Sequence, residues 1–203
     1  MPLADDLLEQ VYNQLGLTNA TEEQKYLQLP QINVALDAIN QANLINVKTT
    51  GTINERLVEL ALRAYAPQSW YHLRRGNYDW LGDFGIGAYP LSVVVSVKSF
   101  KAKERLLVSG TGTLYAPTIG WGRFNDPTEF GLDRLKIYLF RGFLAIYMPD
   151  QTMQQLEPAA RQLRNHYGQS LVRSIGNFGT DIRRALIPSG QAGGAHIINT
   201  SRF

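Results

Sequence analysis

The stretch Val93-Val94-Val95-Ser96-Val97-Lys98 commits this chain to a β-sheet with both faces covered. Three consecutive β-branched residues lose rotamer freedom in a helix but pack well on a pleated surface. Successive strand side chains point to opposite faces, so an unbroken apolar run requires that each face be buried. Helices packed on both sides of a sheet supply that cover. Ser96 and Lys98, two residues apart, share one face at the end of the run. A lysine is an odd choice for a buried strand position. Either it marks the strand leaving the core, or it is kept there for chemistry.

The remaining pattern reads as an α/β (α+β) fold, a mixed central sheet flanked by helices and preceded by N-terminal helices. In residues 1–50, Leu7, Leu8, Val11 and Leu15 fit one helical face closed by Gly16. After Pro30, Ile32, Val34, Ala35, Ala38, Ile39 and Leu44 give another helix. Thr52-x-x-Glu55 has capping-box spacing ahead of Leu57, Leu60, Ala61 and Ala64, with Pro67 as the stop. The period then falls to two, and residues 70–73, 78–86 and 91–100 read as three antiparallel strands. Residues 106–125, with Gly110, Gly112, Gly120 and Gly122 among aromatics, read as a long loop or short hairpin. Asp126-Pro127-x-Glu129 predicts a helix start running to about residue 141. A short strand at 143–148, a polar helix to 164, a further helix at 171–186 and a loop-like tail at 189–194 complete the reading. The expectation is one domain over 1–203: a helical part (1–50), a catalytic core (51–150), and C-terminal helices with a tail (151–203).

Composition removes several chemistries. The 203 residues include no cysteine, which excludes disulfides, a thiolate zinc site and a cysteine nucleophile. There is no Gly-x-x-x-x-Gly-Lys, Gly-x-Ser-x-Gly or His-Glu-x-x-His, and His72, His166 and His196 fall in separate elements. The longest apolar runs are too short to span a bilayer, and residues 1–6 lack a signal pattern, so a soluble cytoplasmic chain is expected. The net charge is +3. Acids gather early (Asp5, Asp6, Glu9, Glu22, Glu23), whereas arginines and lysines crowd the middle and the C-terminal third. That asymmetry fits an anionic partner, or an ordinary solvated basic surface.

The strand pair ahead of Lys98 carries the candidate chemistry. With a turn near Tyr89-Pro90, Asp83 falls opposite Ser96; a one-residue slip flips faces, and the register leaves Asp79 as the alternative. An aspartate, a hydroxyl and a lysine then converge. Magnesium keeps much of its water, so one or two carboxylates suffice to hold it. A lysine beside it orients a water and offsets charge building on a phosphate.

The pattern Asp83…Ser96-Val97-Lys98 resembles the active site of the PD-(D/E)XK nucleases, in the variant where serine replaces the second acid. The following Lys98-Ser-Phe-Lys101-Ala-Lys103-Glu104-Arg105 resembles the recognition segment of Type II restriction endonucleases of the CCGG-reading group. The resemblance implies a restriction-endonuclease-like fold and a sequence-specific, Mg2+-dependent endonuclease of double-stranded DNA, acting as a homodimer or a tetramer. It implies catalytic Asp83, Ser96 and Lys98, with Asp83 and Glu55 at the metal, and Lys101, Lys103, Glu104 and Arg105 as base readers. Direct readout chemistry agrees: arginine bonds guanine O6 and N7, and glutamate accepts from cytosine N4. Arg74, Arg75, Tyr115 and Arg123 are the expected backbone contacts. The chain departs from the family in having Gly82, not proline, before Asp83. It also has Gly110-Thr111-Gly112 where the serine variant carries a compensating glutamate. Glu55 is the replacement, with Glu59 one turn on as the alternative. A junction or repair nuclease, and a non-enzymatic DNA-binding protein in which Asp83 and Lys98 form only an ion pair, are the rival readings.

Overall fold

The computed structural model describes residues 4–41, 46–73, 81–88, 92–99, 106, 116–188 and 196–203. The valine run forms β3 (Val93–Lys98), every residue of it buried except Lys98 at its end. It lies within a six-stranded mixed sheet whose order follows the chain. β1 (Trp70–His72) and β2 (Phe84–Ile86) run antiparallel to each other, and β2 antiparallel to β3. β3, β4 (Thr118–Gly122), β5 (Phe143–Met148) and β6 (Val172–Ser174) are mutually parallel neighbours.

Both faces are covered, as the valine run requires. On one side Val93, Val95, Val97, Ile119 and Trp121 pack in one cluster with α4 (Val47–Tyr65) and α8 (Phe178–Ala185). The same cluster takes in the N-terminal helices α1 (Ala4–Gln14), α2 (Glu22–Leu27) and α3 (Leu29–Gln41). On the other side Phe143, Ile146 and Met148 meet Leu135 and Tyr138 of α5 (Leu132–Phe140). Leu156 and Ala160, from α6 (Asp150–Gln155), α7 (Pro158–Gln162) and their junction, complete that layer. Near β2 this second face is closed by Leu73, Leu81, Val94 and Ala116.

Several elements differ from the sequence reading. Helix α4 starts at Val47, where the Asn46 side chain accepts from the Thr49 amide, so Thr52 and Glu55 are mid-helix and form no capping box. Gly51 is tolerated within it at a cost of about 1 kcal/mol. The stretch 106–125 contains a buried central strand, β4, rather than only loop. Its glycines mark close packing: a Cβ on Gly122 would lie 2.7 Å from the Lys98 carbonyl oxygen and 2.6 Å from the Phe124 ring. The expected helix at 171–186 is β6, a 3-10 turn (Ile175–Asn177) and α8. The expected helix after Asp126 is a 3-10 turn (Pro127–Phe130) capped by that aspartate, followed by α5. A hairpin of β7 (Leu186–Pro188) and β8 (His196–Ile198) follows α8; the tail at 189–194 lies outside the described residues.

Candidate active site

β2 and β3 meet in the register Phe84↔Val95, which continued by one residue sets Asp83 across from Ser96. The Asp83 amide donates to the Val95 carbonyl at 2.9 Å, extending the ladder to this residue. Phe84 enters the cluster beneath α4, so alternation turns Asp83 to the other face, shared by Ser96 and Lys98. There Asp83 Oδ2 accepts from the Val97 amide at 2.6 Å and stands 3.6 Å from Lys98 Nζ. At that distance the lysine contact is an ion pair rather than a hydrogen bond. Asp83 is 5% exposed and Lys98 20%, so both charges sit largely out of water, where their interaction is less screened. Ser96 is fully buried between them in sequence, paired with Gly120 of β4.

The glycine before Asp83 has a steric cause. A Cβ at Gly82 would lie 2.4 Å from Val94 Cγ1 and 2.9 Å from the Val95 carbonyl oxygen. Any side chain there, a proline ring included, pushes the chain off β3 and carries Asp83 with it. Gly82→Ala is therefore expected to cost about 1–3 kcal/mol through overpacking. Urea unfolding checks it; an unchanged midpoint would mean that the backbone accommodates the methyl group without moving.

Helix α4 supplies the remaining polar groups. Asn54, fully buried, donates from Nδ2 to the Lys98 carbonyl at 2.8 Å. Glu55, the next residue, is half-buried. Glu59 is committed elsewhere: it accepts from Arg56 at 2.9 Å and Arg63 at 2.6 Å, with His72 Nε2 at 3.6 Å. Burial pushes its carboxyl up, but the two guanidinium groups outweigh this and hold it below the usual range. Sequence reasoning missed Asn54; its one trace was an amide among buried-periodic apolar residues, between Ile53 and Leu57.

Of the expected DNA contacts, Arg123 needs correction. It lies at the end of β4, 3% exposed, in an ion pair with Asp37 of α3 and bonded to the Asn33 carbonyl. Burial has drawn it inward from the loop surface on which it was expected. Arg74, Arg75, Asp79, Lys101, Lys103, Glu104, Arg105 and Tyr115 lie outside the described residues.

Asp83 offers one buried hard-oxygen carboxylate beside a cation, a donor of the type hard divalent cations take. Mg2+ characteristically takes one or two carboxylates and keeps its remaining ligands as water and phosphate oxygens. Among the described residues, no helix is long and apolar enough to cross a membrane.

No protein-family model matches the chain, and no curated protein does. Among solved structures it is similar to one described as a complex of the restriction endonuclease PspGI with substrate DNA. The TM-score is 0.53 at 10% identity, over 91% of this chain and 93% of that one. The mixed six-stranded sheet between helical layers is thus a restriction-endonuclease-like fold.

Proposed function

We propose that the protein is a sequence-specific, magnesium-dependent endonuclease of double-stranded DNA, a Type II restriction enzyme that works as a homodimer. The observation that carries this is the pairing of Asp83 with Lys98 at 3.6 Å on adjacent strands, in a fold shared with a restriction endonuclease. A solved structure of that fold described as a substrate DNA complex, together with the cationic middle of the chain, supports DNA as the partner.

In this reading Lys98 orients the attacking water and places its positive charge against the scissile phosphate as the transition state gains charge. Asp83 fixes the lysine from one side, while its hydrogen bond from the Val97 amide fixes Asp83. Asp83 and Glu55 would hold the magnesium ion, which when bound supplies Lewis-acid stabilisation and a more acidic water. The attack is in line: the water oxygen bonds to phosphorus as the opposite phosphorus–oxygen bond breaks. A homodimer follows from a palindromic target, whose two-fold axis presents one strand to each subunit.

Incubating the protein with phage DNA and magnesium is expected to yield discrete fragments sharing one end sequence, and chelator is expected to stop the reaction. Random ends would favour a structure-selective nuclease, and intact DNA would leave a binding protein. Arg105→Ala is expected to weaken binding to the cognate site by about 1–3 kcal/mol and relax preference at one base pair. Equal loss on all sequences would reduce Arg105 to a phosphate contact.

A further inference from the structure

We infer that Asn54 is a positioning residue for this site, an inference that rests on the nuclease reading above. Its environment does not call for an amide. The buried face of α4 is otherwise built mainly from Ile53, Leu57, Val58, Ala61 and Leu62, and Asn54 among them is 0% exposed. An apolar residue there would avoid desolvating a carboxamide, whose Oδ1 is buried and has no hydrogen-bond partner among the described residues. The gain must come from the other end of the side chain, Nδ2, which donates to the carbonyl of Lys98.

That carbonyl closes β3, where the ladder gives out and a strand end frays. It is fixed from two directions. Asn54 holds it from the helix, and on β4 the absent side chain of Gly122 lets it approach to where a Cβ would be 2.7 Å away. The backbone of the proposed catalytic lysine is thereby set before its side chain turns toward Asp83. Asn54 also immediately precedes Glu55, so one hydrogen bond joins the helical turn bearing the second metal-site acid to the strand end bearing the lysine. It ties residues 44 positions apart in sequence and so sets how far the turn bearing Glu55 stands from the strand end bearing Lys98.

Asn54→Ala tests this, with Mn2+ as the probe ion. Its affinity for the protein–DNA complex is read from the electron paramagnetic resonance of free Mn2+. Asn54→Ala is expected to weaken Mn2+ binding and raise the magnesium needed for half-maximal cleavage by about 10- to 100-fold. DNA affinity in calcium is expected to stay within about twofold. Asn54→Ser, which keeps a donor in less space, should recover part of the loss, and it replaces the alanine variant in both measurements if that variant does not fold. A folded variant with wild-type Mn2+ affinity and wild-type magnesium dependence would overturn the inference. A wild-type protein that binds Mn2+ but cuts no DNA would overturn the nuclease reading instead, so the two failures are distinct.

Discussion

Lys98→Ala is expected to lower single-turnover DNA cleavage on the order of 10³-fold while leaving DNA binding in calcium intact. The separation of the two effects follows from where the charge sits. Lys98 points from the end of β3 toward Asp83, and its backbone, not its amine, makes the contacts that hold the sheet: the ladder to Gly122 and the bond from Asn54. In the proposed mechanism, removing the amine strips a cation from the position where phosphate charge would develop. It does not strand Asp83, whose Oδ2 keeps the 2.6 Å hydrogen bond from the Val97 amide. The variant should therefore fold, and loss of activity reports on chemistry rather than on unfolding. Lys98→Arg is expected to rescue little, because a planar guanidinium on a longer reach cannot replace a point charge held 3.6 Å from a carboxylate. A purified Lys98→Ala protein that cuts at the wild-type rate would end the assignment of this lysine.

What the sequence revealed of this site, and what it hid, divides by whether the cause is local. The valine run announces its two covered faces, because burial on each side is the only stable use of it. The opposition of Asp83 and Ser96 was readable only on the assumption of a turn near Tyr89-Pro90; sequence left Asp79 open, and the Phe84↔Val95 pairing of the two strands sets the register. β4 was hidden because glycine and threonine ordinarily signal a loop. Here Gly122 answers to the Lys98 carbonyl and the Phe124 ring, and Gly120 to Leu106 and Phe143, contacts that no local pattern encodes. Arg123 was misplaced for the same reason: its partner Asp37 lies 86 residues earlier on another element. Glu55 was read as half of a capping box because Thr52 three residues before it has cap spacing, whereas Asn46, five residues before Gly51, is the actual cap. Asn54 combines both kinds of obscurity, a polar residue on an apolar face whose use appears only when β3 arrives beside it.

The largest stability effect is expected away from the site. Asp181 of α8 accepts from Tyr147 of β5 and from Arg173 of β6, both at 2.7 Å, and from Arg184 at 2.8 Å. Arg173 and Asp181 are nearly buried, and Tyr147 completely so. Burial, with the Asp181 charge beside it, pushes the Tyr147 hydroxyl well above its ordinary range, so it remains a neutral donor. Asp181→Ala leaves a buried guanidinium without its counter-charge and a buried hydroxyl without its acceptor, at an expected cost of about 3–5 kcal/mol. Replacing both partners, Asp181→Leu with Arg173→Met, should return part of that loss, because two apolar side chains remove the unpaired charge while the buried Tyr147 hydroxyl still lacks its acceptor. Urea unfolding reads both variants as midpoint shifts with unchanged slope. β6 is three strands from β3, about 14 Å across the sheet at the usual interstrand spacing. Cleavage per folded molecule should therefore stay near wild type in both proteins. A loss below about 1 kcal/mol for Asp181→Ala would mean that water reaches the cluster and screens it. An equal loss in the double variant would mean that the three elements depend on the pair for shape rather than for charge balance.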